Sequence, residues 1–160
     1  MVGRSLEAAL NGTGKEPRSR LRLLVADDSP EVIQEIVHLL HSQHDILRTV
    51  PDGRALVEAA SELHPDLVVS DFSMPGLNGI DAGRHILQQG YCRNVILLTM
   101  YSDAQLVSAA VAAGIAGFVL KADAGEELHE AIRRVAAGDR YISRGLDAGG
   151  KYAEDKRPAC

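Results

Sequence analysis

The chain has 160 residues, 46% hydrophobic and 24% charged, with 4% aromatics and no Trp, which suits one domain with an aliphatic core. Its formal net charge of −5 excludes holding nucleic acid by general electrostatics, because phosphate binding needs clustered Lys and Arg. The only cysteines, Cys92 and Cys160, exclude a disulfide framework, and no apolar run approaches the roughly 18 residues of a membrane span, so a reducing cytoplasm fits best.

Residues 1–20 carry Gly12, Gly14, Pro17 and scattered charges, with Leu6 to Leu10 suggesting one helical turn; they read as a flexible N-terminal extension. Gly12-Thr13-Gly14-Lys15 lacks the earlier glycine, the following Ser or Thr and the preceding strand of a phosphate loop, and reads as linker. From residue 21 short apolar runs alternate with helical periodicity. Runs at 21–26, 45–50, 66–70, 93–98 and 116–120 are followed by helices at 30–41, 53–63, 79–89, 103–113 and 124–137. Five β–α pairs in series predict an α/β domain, a doubly wound parallel sheet covered on both faces.

The helices rest on spacing. Ile33, Ile36, Val37 and Leu40 fall at i, i+3, i+4 and i+7, as do Leu128, Ala131, Ile132 and Val135, so each set makes one apolar stripe. Ser29-Pro30 is a helix start, and Gly114 and Gly138 are helix stops. His38, His41 and His44 sit three apart, a spacing that invites a metal. His38 and His41 flank an apolar stripe near a helix end, where His suits the dipole, and His44 falls past it. The runs DLVVS and NVILL show little alternation, as central parallel strands should. After Gly138 the pattern fades, and 141–160 reads as a C-terminal tail with no output domain.

The runs end at polar groups: LRLLVA at Asp27 and Asp28, PDLVVS at Asp71, NVILL at Thr99 and GFVL at Lys121. Parallel strands bring all of these to one sheet edge, where open α/β sheets bind ligands. Asp27, Asp28 and Asp71 repel one another unless a cation is shared, and magnesium suits an all-oxygen site that keeps several waters. A carboxylate such as Asp71 can attack phosphorus to form an aspartyl phosphate, while the Thr99 hydroxyl and Lys121 ammonium can bind phosphoryl oxygens.

Here the motifs VADDSP, SDFSMPGLNGID, LLTMYSD and GFVLKADAGEEL make the chain resemble a response regulator receiver domain of bacterial two-component systems, over about residues 21–140. The resemblance implies a flavodoxin-like five-stranded sheet of order 2-1-3-4-5. It implies Mg2+ held by Asp28 directly, by Asp27 mainly through water, by Asp71 and by the backbone carbonyl of Ser73. Asp71 would be the phosphoacceptor, Thr99 and Lys121 would bind the phosphoryl group, and Thr99 with Phe118 would form the switch. The turn Met74-Pro75-Gly76 with Asn78-Gly79 would follow the acceptor. Met100 is bulkier than the Ala or Ser often found after the switch threonine, and Ser73 and Tyr101 occupy positions that tune phosphoryl lifetime.

LLTMYSD, GFVLK and AAGDRYIS resemble most the receivers that precede a LuxR-type helix-turn-helix, so the chain is expected to be either solitary or the fragment of a transcriptional regulator. The implied partners are a sensor histidine kinase or phosphotransfer protein and a downstream protein target or missing DNA-binding domain, with no membrane and no direct nucleic acid contact. A homodimer has room to form through the last helical face, with Ala109, Ala110, Ala112 and Ala113 allowing close approach. Two alternatives stand beside this reading. One is a receiver-like scaffold that works without phosphorylation; the other is an aspartyl-nucleophile phosphatase, which needs a general acid two residues after the nucleophile, where Ser73 stands.

Overall fold

A computed structural model describes residues 20–146, so the helical turn expected at Leu6 to Leu10, the linker reading of 12–15 and Cys160 lie outside the described residues. Six parallel strands form one sheet: β1 (Arg22–Ala26), β2 (Asp45–Val50), β3 (Leu67–Asp71), β4 (Val95–Thr99), β5 (Gly117–Leu120) and β6 (Tyr141–Ile142), in the order β2-β1-β3-β4-β5-β6. Five helices connect them: α1 (Pro30–Leu40), α2 (Gly53–Leu63), α3 (Gly79–Gln89), α4 (Ala104–Ala112) and α5 (Ala124–Ala136). The sheet therefore keeps the order expected for five strands and adds a sixth. Tyr141 and Ile142 pair with Gly117 and Phe118, too short a run for any periodicity to announce it.

Burial on both faces explains the apolar strands. Leu24, Ala26, Val68, Leu97 and Phe118 pack on one face with Leu56 and Ala59 of α2, Ile80 and Ile86 of α3, and Val107 of α4. Their strand neighbours Leu23, Val25, Val69, Ile96 and Val119 turn to the other face, against Ile36 and Leu40 of α1 and Leu128 and Ile132 of α5. Side chains alternate across a strand, so a central strand between two helix layers must be apolar at every position.

The helix starts follow capping chemistry. Ser29 Oγ accepts from Val32 N at 3.3 Å, with Pro30 opening α1. Asp52, Asn78 and Asp103 accept in the same way at the starts of α2, α3 and α4; each satisfies a donor that the first turn leaves orphaned. Gly114 and Gly138 follow α4 and α5 at φ +90° and +98°, a left-handed conformation that glycine enters without steric penalty. One expectation about α4 is corrected. Ala109 and Ala112 are exposed, but Ala110 is 1% exposed and packs in the core, because it stands three residues after buried Val107 on the same helix face.

Candidate functional site at the carboxyl ends of β1, β3, β4 and β5

The sheet order decides which strand ends meet. β1 and β3 are neighbours, with Ala26 opposite Ser70, so Asp27, Asp28 and Asp71 emerge side by side. β4 and β5 then bring Thr99 opposite Leu120, one residue before Lys121. Asp27, Asp28 and Asp71 can each offer a carboxylate oxygen such that all three lie within 4.8 Å of one another. Asp27, Asp71 and Thr99 are buried, whereas Asp28 is exposed. A cleft of about 360 Å3 opens over them, lined also by Ser73, Met100 and Lys121.

Lys121 ties the buried carboxylates together. Its Nζ lies 2.9 Å from Asp27 Oδ2 and 3.2 Å from Asp71 Oδ1. The other Asp27 oxygen accepts from Ser29 N at 2.9 Å, so the residue that opens α1 also orients an acidic side chain. Burial by itself disfavours the Lys121 ammonium, but its bonds to Asp27 and the charges of Asp71 and Asp27 outweigh this and hold its pKa above the usual lysine value. Asp71 moves the opposite way to an ordinary salt-bridged carboxylate. Burial, and then the negative charge of Asp27, raise its pKa, while Lys121 and the backbone N–H of Ser73 only partly offset them.

The loop after Asp71 is built by close approach. Gly79 N donates to Phe72 O at 2.8 Å, folding the chain back so that the first residue of α3 sits against the end of β3. A Cβ at Gly79 would lie 2.4 Å from the Asp71 carbonyl oxygen, so only glycine fits. Met74 is buried beneath this turn, and Gly76 takes φ +77°. On the opposite lip Thr99 Oγ1 accepts from Tyr101 N at 3.0 Å. The hydroxyl proton is thereby left to donate elsewhere.

All of Asp27, Asp28, Asp71, Ser73, Thr99 and Lys121 converge on this cleft. Phe118 stands apart from it, 1% exposed in the core, so its ring already lies inside. Met100 is 73% exposed at the rim and does not fill the cleft. Sequence reasoning gave Lys121 to phosphoryl oxygens and missed that Asp27 is its nearer partner in the structure, a preference that strand spacing alone cannot signal. It also missed the Ser73 N–H bond to Asp71. His44 is buried and accepts from Leu21 N at 3.2 Å, which uses its Nδ1 lone pair in the fold, while His38 and His41 are exposed with ring centroids 5.9 Å apart.

Three carboxylates and one ammonium leave two negative charges uncompensated at the centre of the cleft. An all-oxygen donor set with one exposed carboxylate fits a hard divalent cation such as Mg2+. No helix among the described residues is long and apolar enough to cross a membrane.

Known proteins are similar to this chain in sequence and in fold. The family described as response regulator receiver domain matches residues 23–133. The response regulator GacA of Pseudomonas aeruginosa is 33% identical over 125 residues, 77% of this chain and 58% of its own length. GacA of Pseudomonas viridiflava is 35% identical over 126 residues, again 77% and 58%. The chain thus spans less than two thirds of the length of these relatives. Among solved structures, a LuxR-family two-component response regulator from Aurantimonas superposes with a TM-score of 0.77 at 30% identity, covering 81% of this chain and 94% of that one. The isolated receiver domain of RcsB from Salmonella enterica serovar Typhimurium, solved in the presence of the phosphomimetic BeF3−, gives 0.73 at 25% identity, with 81% and 97% covered. With its sheet order, its acidic cleft and these relatives in agreement, the chain belongs to the response regulator receiver domain family.

Proposed function

We propose that the chain is a phosphoacceptor switch in which Asp71 takes a phosphoryl group from a histidine kinase or phosphotransfer protein with Mg2+ bound. The observation that carries this reading is the shared ammonium: Lys121 spans Asp27 and Asp71 at 2.9 and 3.2 Å, yet leaves Asp71 raised in pKa and the cluster short of positive charge. Asp28, Asp71 and the Ser73 carbonyl would hold the metal directly, with Asp27 contributing mainly through water. When bound, the metal would supply charge compensation for the phosphoryl oxygens.

The chain's own groups divide the remaining work. A carboxylate oxygen of Asp71 forms a bond to phosphorus while the phosphorus–nitrogen bond of the donor phosphohistidine breaks; the imidazole leaves with that electron pair and takes a proton from solvent. Lys121 can turn from the carboxylates to a phosphoryl oxygen, since both its present partners lie at the cleft floor. Thr99 Oγ1, already accepting from Tyr101 N, keeps its proton for another phosphoryl oxygen. Phe118 is inside in this structure, so the switch reading assigns it an outward excursion in the state without phosphate, and phosphorylation shifts the balance inward.

This reading gives the chain no turnover of an external substrate. Ser73 stands where an aspartyl phosphatase needs its general acid, and it offers none near neutral pH. The scaffold alternative loses its main support, because Met100 leaves the cleft open. The receiver unit would run over 21–140 with β6 (Tyr141–Ile142) completing its sheet, in the cytoplasm, signalling to a protein target or a linked DNA-binding domain. Incubation with a small phosphodonor and Mg2+ is expected to add one phosphate to the native chain and none to Asp71→Ala, read by intact mass. Equal uptake by both would remove Asp71 from the role.

A further inference from the structure

The sixth strand is held by more than two ladder bonds. Tyr141 N donates to Ala116 O and Ser143 N to Phe118 O, both at 2.8 Å. Ser143, 0% exposed, also donates its hydroxyl to Glu127 Oε1 at 2.7 Å and accepts from Leu120 N at 3.3 Å. Tyr141 Oη donates to the same Glu127 oxygen at 2.9 Å. Beyond the strand, Leu146 is buried in the core cluster that contains Phe118 and Val107, and Ser102 Oγ donates to Gly145 O at 3.1 Å.

These contacts touch the switch at three points. Ile142 stands opposite Phe118 in the sheet register. Leu120, bonded to Ser143, is the residue before Lys121. Ser102 follows Tyr101, whose N–H is bonded to Thr99 Oγ1. The segment is therefore docked in the same state in which Phe118 and Thr99 are buried.

We infer that Tyr141 to Leu146 form a strap whose docking on β5 and phosphorylation of Asp71 stabilise each other. The inference rests on Asp71 being the phosphoacceptor. A phosphoryl group that draws on Thr99 and favours an inward Phe118 favours the arrangement in which Ile142 pairs beside Phe118 and Leu146 packs in the same core cluster. Because Thr99 can accept from Tyr101 N and donate to phosphate at once, the Ser102 tie to Gly145 survives the change. Coupling of this kind is reciprocal, so the strap must strengthen occupancy of the cleft by the factor with which occupancy strengthens the strap.

The test uses the full chain with Mg2+ and beryllofluoride. Amide hydrogen exchange at Tyr141 and Ser143 is expected to slow on the order of tenfold on addition of beryllofluoride. Ser143→Ala should abolish that slowing and weaken beryllofluoride binding, followed by fluorine NMR, by a matching factor. Ser102→Ala, at an exposed position, should give a smaller change of the same sign without threatening the fold. Bound beryllofluoride with unchanged or faster exchange overturns the coupling alone. A native chain that neither takes up phosphate nor binds beryllofluoride overturns the acceptor role of Asp71 and the coupling with it.

Discussion

Lys121 Nζ is 2.9 Å from Asp27 and 3.2 Å from Asp71, so the ammonium proposed to bind the phosphoryl group is first of all the partner of a fully buried carboxylate. The Asp27 side chain has 0% exposure and no solvent to fall back on. Under the proposed function Lys121 would then serve the fold and the phosphoryl group alike.

Removing the ammonium should therefore unsettle the fold. Lys121→Met strands the Asp27 charge, and breaking one side of a buried pair typically loses about 3 kcal/mol or more. Urea unfolding at neutral pH is expected to show a loss of about that size. The double variant Asp27→Asn/Lys121→Met should recover most of it. A loss under about 0.5 kcal/mol, the range of ordinary surface changes, would mean that the pair contributes little.

Asp71 should weaken the fold at neutral pH. Its pKa is raised, first by burial and then by the Asp27 charge, so the folded state holds its proton more tightly than the unfolded chain does. The favourable contribution is then present below the usual carboxylate range and is lost as pH rises through the raised value. Asp71→Asn, which keeps the shape without the charge, should stabilise the fold near pH 7 without divalent cations by on the order of 1 kcal/mol, the usual scale for one substitution, and so raise the melting temperature. The gain should fade on acidification. A lower melting temperature for Asp71→Asn would contradict the sign of the shift.

Magnesium should act on stability as well as on chemistry. A ligand that binds only the folded state at about 100 times its Kd adds about 2.7 kcal/mol. Thermal melts with increasing Mg2+ are expected to rise accordingly in the native chain. Asp28→Ala should melt normally without metal, since Asp28 is exposed and makes no ion pair among the described residues, and should lose the Mg2+ response. An unchanged response would exclude Asp28 as a ligand.

The Tyr141 phenol is pushed up to about 12 by burial, by its bond to Glu127 and by the charge of that carboxylate. The neutral phenol is favoured in the fold, so this contribution is fully present below the ordinary tyrosine value and disappears as pH rises toward about 12. Ultraviolet titration should show one late-ionising tyrosine that vanishes in Tyr141→Phe, and Glu127→Gln is expected to bring its ionisation earlier. Tyr141 titrating at the ordinary tyrosine value would mean that the bond to Glu127 is not kept in solution.

Local chemistry alone determined most of the fold. Continuous apolar runs of four to six residues, stripes at i, i+3 and i+4, and caps such as Ser29, Asn78 and Gly138 act within one or two turns of chain, and the five long strands and five helices lie where that patterning puts them. The composition of the cleft was legible for the same reason, because parallel strands deliver their last residues to one edge. Tertiary structure decided what depends on distance between segments. Which of two carboxylates Lys121 meets first, whether Phe118 lies in or out, that Ala110 faces inward, and that Tyr141 and Ile142 become a strand are all set by neighbours far away in sequence, whose packing no periodicity encodes.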